Sequence, residues 1–121
     1  MSASNKSIPS EVKDQVKTTV DQFNRDVIQR PRRFYSVLFR SPDRFFSVRF
    51  RGVHAYLDRQ AGNSVSRVGR LTYTGDIKDW DFAIYKYSTE RYDPDEWMFP
   101  GSEHLNGTIE GALRACMEAY P

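Results

Sequence analysis

Arginines and aromatic residues alternate along several segments of the chain with the spacing of β-strands. The set comprises Tyr35, Arg49, Arg51, Tyr56, Arg67 and Tyr85. Arginine forms planar, bidentate hydrogen bonds with phosphate or carboxylate, and aromatic rings stack on nucleic-acid bases. One hypothesis is therefore a platform for single-stranded nucleic acid or another polyanion. The alternative is that these rings build the core or a surface for a protein partner, since the Gly-Phe-Gly-Phe core of the RNA-recognition motif is missing.

His54 is the side chain best suited to acid–base chemistry. Asp58 follows it on the same face of a predicted strand, and a carboxylate close to the imidazole would let His54 act as a general base. Two such residues on one strand are commonplace, so we assign no catalytic residue. The sequence contains no Gly-x-Ser-x-Gly elbow, phosphate-binding glycine loop or dinucleotide fingerprint. We therefore expect no cofactor and a non-enzymatic protein, with an enzyme using His54 as an alternative.

The possible metal ligands do not follow a known spacing. His54 and His104 lie far apart in the sequence and lack cysteine partners, which argues against a zinc site. Asp93, Asp95 and Glu96 could offer oxygen ligands to Ca²⁺ or Mg²⁺, but the same acidic residues suit a turn or the first turn of a helix. We expect no metal site.

The net charge of +2 conceals an uneven distribution of charge along the chain. Residues 1–70 contain 14 Lys and Arg against 6 Asp and Glu, a balance of +8, whereas residues 71–121 contain 4 against 10, a balance of −6. The two parts could neutralise each other within the fold or across a dimer, or the basic part could bind an anionic partner. The preferred interpretation is a self-associating interaction module, a homodimer, with nucleic acid as a possible partner.

Two segments have the apolar periodicity of amphipathic helices. In the first, the apolar positions are Val12, Val16, Val20, Phe23 and Val27, after Ser10 as a candidate N-cap and before Arg30-Pro31 as the end. In the second, Thr108 precedes the apolar positions Ile109, Ala112, Leu113, Cys116, Met117 and Tyr120. Cys116, the single cysteine, is expected to be a small buried apolar residue.

Between the helices the sequence predicts five strands, at residues 34–39, 45–50, 53–58, 65–73 and 80–87. In the second strand Phe46, Val48 and Phe50 share one face and are predicted to face the core. Gly69 and its neighbour Arg67 suit an edge strand or a bulge. Residues 92–101 are predicted to form an ordered loop.

Together these elements predict an α+β fold, an antiparallel meander sheet of about five strands with both helices packed on one face. Residues 1–9 form a predicted flexible tail and residues 10–121 a single domain. The uncovered face then carries the candidate binding residues, which are Arg49, Arg51, His54, Tyr56 and Arg67. The sequence has no long apolar segment and no apolar leader, so a cytoplasmic location without membrane contact is expected.

The segment Trp80-Asp81-Phe82-Ala83-Ile84-Tyr85-Lys86-Tyr87, the following loop at residues 92–100 and the Thr108 helix resemble a family of small uncharacterised bacterial proteins. The resemblance extends nearly end to end in the order of elements and the spacing of aromatic residues. It implies a helix-flanked sheet in the bacterial cytosol, and it implies no activity.

Overall fold

The computed structural model describes residues 7–28, 44–96 and 98–120. These residues form two α-helices and five strands: α1 (Ser10–Phe23), β1 (Arg44–Arg51), β2 (His54–Ala61), β3 (Ser64–Thr72), β4 (Asp81–Lys86), β5 (Arg91–Asp93) and α2 (Ile109–Ala119). A π-helical segment, Asn24–Ile28, continues α1, and a 3-10 turn, Ser102–His104, precedes α2. The strands form one sheet in the order β1-β2-β3-β4-β5, and each pair of neighbours is antiparallel. The α+β class and the meander are therefore confirmed.

Both helices contribute to a single apolar core on one face of the sheet. The stripe of α1 buries Val16 and Val20, and α2 buries Leu113 and Cys116 in the same cluster. Leu57 of β2 is fully buried between them and the sheet. Burying a side chain of this size contributes about 1.5–3 kcal/mol, so the helices are held by packing on the sheet.

The N-termini of the two helices differ in how well the sequence predicted them. Thr108 is the N-cap of α2, because its hydroxyl oxygen accepts a hydrogen bond from Gly111 N at 3.0 Å. In α1 the prediction of Ser10 as N-cap is wrong: Pro9 holds that position, and Ser10 is the first helical residue. The Pro9 carbonyl accepts from the backbone N–H of Lys13, so the helix begins without a side-chain cap.

The strands also differ in part from those predicted. The first predicted strand, residues 34–39, and the predicted helix end at Arg30-Pro31 lie outside the described residues. The fifth strand of the structure is β5, which overlaps the start of the predicted loop, since that loop was predicted to begin at Tyr92. β5 has only three residues, and it follows Glu90, which has the left-handed φ of 56°. So short a strand after such a turn gives no alternating pattern for sequence analysis to detect.

A bulge in β3 determines which of its side chains face the core. Leu57 pairs with Gly69 and Asp58 pairs with Arg67, so Val68 is the extra residue. Val68 is buried, and a Cβ on Gly69 would lie 2.6 Å from the Phe82 ring, so Val68 and Gly69 both point toward the core. The prediction of a bulge at this point is confirmed. β3 has neighbours on both sides and is not an edge strand.

The end of α1 is joined to the outer edge of β1 by one buried amide. Asn24 Nδ2 donates to Phe46 O, and Phe46 N donates to Asn24 Oδ1, both at 2.8 Å. Phe46 is fully buried beside the Phe23 ring, as predicted. Val48 and Phe50 face the same side but lie at the margin of the core, where they are only partly buried.

Candidate ligand-binding face

We call the side of the sheet opposite the two helices the open face. Strand pairing arranges its side chains in four rows: Arg51, His54, Thr72 and Asp81; Arg49, Tyr56, Arg70 and Ala83; Ser47, Asp58 and Arg67; and Phe45, Gln60 and Val65. Tyr85 and Tyr92, which pair across β4 and β5, lie on the same face. The four rows and this tyrosine pair bring together basic, aromatic and acidic side chains from five strands.

All five binding residues predicted from the sequence lie on this face: Arg49, Arg51, His54, Tyr56 and Arg67. Tyr35, the first member of the predicted aromatic set, lies outside the described residues.

Sequence reasoning missed Arg70 and Tyr92. Arg67 and Arg70 are three residues apart, so strict alternation would place them on opposite faces, but the bulge at Val68 places both on the open face. Gly69 was the available signal, since a strand glycine often marks a bulge. Tyr92 was missed because the short strand that positions it was read as a loop.

Tyrosine rings form a contiguous layer on the open face. The ring centroids of Tyr56 and Tyr92 are 5.2 Å apart, and those of Tyr85 and Tyr92 are 4.9 Å apart. Tyr85 also meets the Tyr87 ring edge-on at 4.8 Å and is only 5% exposed. Contacts of this geometry stabilise the fold beyond simple burial, and they leave little of Tyr85 accessible to a ligand.

Three guanidinium groups lie over these rings. The distance from the guanidinium carbon to the ring centroid is 5.0 Å for Arg49 over Tyr56, 5.7 Å for Arg67 over Tyr85 and 5.5 Å for Arg70 over Tyr92. Such cation–π contacts order long side chains that would otherwise sample many rotamers. The arginines therefore form the outer layer, and the tyrosines support them from beneath.

Asp58 gives the open face a buried carboxylate. It is only 3% exposed, and Arg49 donates to it through Nε at 2.6 Å and through a terminal nitrogen at 3.2 Å. The hydrogen bonds that Arg49 donates to Asp58, together with the negative charge of Asp58, raise the pKa of Arg49, whereas burial lowers it. This bidentate pair fixes Arg49 in position and neutralises it.

His54 is not paired with Asp58. Its Nδ1 lies 3.0 Å from the Thr72 hydroxyl oxygen, and Asp58 is bound by Arg49. Partial burial, and secondly the charge of Arg70, lower the pKa of His54. The imidazole is therefore neutral near pH 7. Among the described residues, His54 forms no ion pair with a carboxylate.

Two buried polar atoms of the open face, Arg70 Nε and the Tyr92 hydroxyl, have no hydrogen-bond partner among the described residues. Burial is the main reason that the pKa of Tyr92 is raised, and the charge of Asp58 adds to it. The charges of Arg49 and Arg67 act in the opposite direction. Both orphan atoms can donate a hydrogen bond, so the centre of the face has unused donor capacity.

The open face is basic overall. Its rows hold four arginines against two carboxylates, Asp58 and Asp81, which leaves a formal charge of 4 − 2 = +2 with His54 neutral. Within the described part of the chain, no carboxylate lies within ion-pair distance of Arg51, Arg67 or Arg70.

Three ion pairs among the described residues each lie within one part of the sequence. Arg49–Asp58 lies within residues 1–70, whereas Lys86–Glu96 and Arg114–Glu110 lie within residues 71–121. These pairs give no support to the idea that the two parts neutralise each other within the fold.

The predicted acidic cluster forms a turn fastened to β4. Lys86 Nζ lies 3.0 Å from a Glu96 oxygen and 3.9 Å from an Asp93 oxygen, and Asp93 accepts from Asp95 N at 3.0 Å. The turn interpretation is confirmed. The carboxylates of Asp93 and Glu96 are thus engaged by a lysine.

A second acidic group was not expected from the sequence. His104 Nε2 lies 2.7 Å from a Glu118 oxygen, and one ligand atom each from Glu103, His104 and Glu118 fall within 4.8 Å of one another. Gly101 permits this approach, because a Cβ there would lie 2.8 Å from Ala115 O. The group is largely exposed, and the contact fastens the 3-10 turn to α2.

The chain matches no known protein family, no curated protein and no solved structure. Within residues 7–28, 44–96 and 98–120, neither helix has the length and apolar character needed to cross a bilayer.

Proposed function

We propose that this protein is a non-enzymatic binding module whose open face binds single-stranded nucleic acid. The observation that carries the proposal is the pair of guanidiniums of Arg67 and Arg70, which lie over tyrosine rings on one side of the sheet and have no carboxylate partner among the described residues. Guanidinium groups bind phosphate through planar, bidentate hydrogen bonds. A surface that presents several of them at fixed positions suits a polymer with regularly repeated phosphates.

The tyrosine layer supports this function by ordering the arginines before a ligand arrives. An arginine that is free in solution loses side-chain entropy when it binds, which costs about 0.5–1.5 kcal/mol for each immobilised side chain. Arg67 and Arg70 have already lost part of that freedom over Tyr85 and Tyr92. Within the part of the chain that the structure describes, their guanidiniums also lack a competing carboxylate, so a phosphate would meet little competition from these residues.

Arg51 and Arg67 provide the clearest test. Neither has a carboxylate partner in the described structure, and both are exposed, so alanine at either position should leave the fold intact. The matched control is Arg91→Ala, because Arg91 is an exposed arginine of the same sheet whose pairing with Lys86 places it away from the open face.

The measurement is fluorescence anisotropy of a labelled single-stranded oligonucleotide, titrated with protein at about 50 and 200 mM salt. We expect affinity to fall as salt rises, and each open-face substitution to reduce the slope of log K against log salt by under about one unit. Arg91→Ala should have the wild-type slope. Absence of binding at about 50 mM salt would overturn the proposal.

Self-association is a second candidate, favoured by exposed apolar side chains at one end of the open face. Phe45, Val65 and Tyr87 are 36%, 60% and 50% exposed. Pairing through the β1 edge is less favourable, because Asn24 already satisfies the backbone of Phe46. A homodimer formed through the open face would oppose like charges, so its association should strengthen as salt rises. Sedimentation at two salt concentrations tests this candidate, and a monomer at every concentration would remove it.

A cytoplasmic location is part of the proposal, as is an origin among small bacterial proteins of the kind that the sequence resembles. Support for the location comes from Cys116, the single cysteine, which is buried and free. Proteins of oxidising compartments commonly use cysteine in disulfides. Fractionation of cells that express the tagged protein would test this part of the proposal.

A further inference from the structure

One end of the open face is apolar, in contrast to its basic centre. Phe45 and Val65 both pair with Gln60 across the sheet, so these three side chains form the last row. Tyr87 lies at the same end, where its hydroxyl donates to Arg67 O at 2.7 Å. We call Phe45, Val65 and Tyr87 the apolar end. Phe45 and Val65 flank Gln60, and the Tyr87 ring, which packs edge-on against Tyr85 and Tyr120, is still half exposed. Exposed apolar side chains at one end of a polar sheet face indicate a surface for ligand contact.

We infer that the bases of the bound strand stack on the apolar end while its phosphates lie on the neighbouring arginines. This inference rests on the proposed function and extends it, because it assigns separate positions to the two chemical parts of a nucleotide. The ligand is then specifically a strand with unpaired bases, and a bare polyanion would use only part of the surface.

The spacing of the rows fits this assignment. The row of Ser47, Asp58 and Arg67 is two residues along each strand from the row of Phe45, Gln60 and Val65. Two residues of a strand span roughly 6.5–7 Å, which is comparable with the separation of a base from its own phosphate. One nucleotide can therefore place its base on the apolar row and its phosphate against Arg67.

The chemistry of the apolar end also fits a base. Base stacking on aromatic side chains tolerates any sequence, because every base has a π-face. Gln60 lies between the two apolar side chains and donates to the Ser47 hydroxyl at 3.1 Å. A carboxamide has two donors and an acceptor, so Gln60 retains hydrogen-bonding capacity for the edge of a base.

A double helix would not use this end in the same way. Its bases are stacked inside the duplex, so only its phosphates could reach the arginines. A second copy of the protein could bury the apolar end, but it would bring two basic centres close together. Charge complementarity therefore favours a single strand as the occupant.

The test compares three labelled probes of equal length: an oligothymidylate, an abasic single strand and a duplex. Each is titrated with the wild-type protein at about 50 mM salt. We expect the oligothymidylate to bind at least about five-fold more tightly than the abasic strand, the effect of one stacked base. Phe45→Ala should abolish this preference and leave the affinity for the abasic strand unchanged.

Two variants control for the fold and for the ring. Phe45→Tyr keeps an aromatic ring and should retain the preference for bases. Ile28→Ala removes apolar surface outside the open face, in the π-helical segment, and should leave the preference unchanged. Thermal unfolding of each variant reports whether the domain is still folded.

The possible results separate this inference from the proposed function. Equal, measurable binding of the oligothymidylate and the abasic strand would overturn the inference and leave the proposed function standing. Absence of binding by all three probes would overturn both. If Phe45→Ala instead converts a dimer into a monomer in sedimentation, a second copy of the chain occupies the apolar end and the inference is wrong.

Discussion

The two faces of the sheet are built from the same strands but are stabilised by different kinds of interaction. On the core face Phe46 and Leu57 are almost completely excluded from water. On the open face the neighbouring residues of the same strands include Arg49 and Asp58, which form an ion pair. Apolar burial is non-directional, so the stability of the core face depends on how well its side chains fill the available volume. The open face is governed by hydrogen-bond geometry and charge.

The difference shows where the stability of the domain and its function are expected to reside. Truncating a core side chain removes buried surface and leaves a cavity, whereas truncating an exposed arginine removes neither. Substitutions on the core face should therefore change the free energy of unfolding. Those on the exposed part of the open face should change binding.

The largest effect is expected from Phe46→Ala. Phe46 is 1% exposed and contacts the Phe23 ring, so its loss should lower the free energy of unfolding by about 3–5 kcal/mol. Phe50→Ala is the matched comparison, since Phe50 is only partly buried at the edge of the core beneath Lys13 and Lys17. Urea denaturation should give a clearly smaller loss at Phe50, and equal losses would contradict the assigned core.

Gly69→Ala should lower the free energy of unfolding by about 1–3 kcal/mol, because the new methyl group would collide with the Phe82 ring. A second change, Phe82→Ala, creates space beside it. We therefore expect the double variant to lose less stability than the sum of the two single variants. If thermal or chemical unfolding shows that the two losses of stability simply add, Gly69 and Phe82 are not in contact and the assigned bulge is wrong.

Arg49→Ala should also destabilise the fold, by about 1–3 kcal/mol, because the buried carboxylate of Asp58 would lose its charged donor. Asp58→Asn should cost less, since the Arg49 side chain is 53% exposed and water can solvate its charge. Chemical denaturation of both variants measures the difference. A larger loss for Asp58→Asn would mean that this part of the open face is held by something other than the buried carboxylate.

The smallest effect is expected from His54. Its pKa is lowered in the folded state, mainly by burial, so the unfolded chain binds a proton more readily. This contribution to stability is complete above the ordinary histidine pKa of about 6.5 and is lost as pH falls through the lower pKa of the folded state. His54→Gln should weaken that acid-side slope. NMR titration of the His54 ring gives the pKa directly, and a midpoint above the ordinary value would contradict its burial beside Arg70.

Much of the fold could be predicted from the sequence, because the spacing of apolar residues indicates which side chains are buried. The helix stripes and the core-facing side of β1 followed from spacing alone, as did the placement of Arg49, Arg51, His54 and Tyr56 on the opposite face. The face on which Arg70 lies could not be predicted in this way, because a single extra residue in β3 moves every later side chain of the strand to the opposite face.

The contacts within the open face were the hardest to foresee. The sequence suggested that Asp58 could approach His54. Which cation binds a carboxylate depends on the register of the strands, however, and in the observed register Asp58 binds Arg49. The stacking of arginines over tyrosines depends on residues from different strands, and in the case of Arg70 and Tyr92 on strands that are not adjacent in the sheet. Such pairs carry no local sequence signal.

Binding of single-stranded nucleic acid by the open face can be tested by an NMR titration of the protein with an oligothymidylate at about 50 mM salt. The arginine Nε–Hε signals and the aromatic ring signals report on side chains whose face of the sheet is known. We expect shifts at Arg67, Arg70 and the Phe45 ring, and unchanged signals at Arg91 and Arg114. Shifts confined to Arg114 and the helices, with the open-face arginines unchanged at saturation, would contradict this expectation.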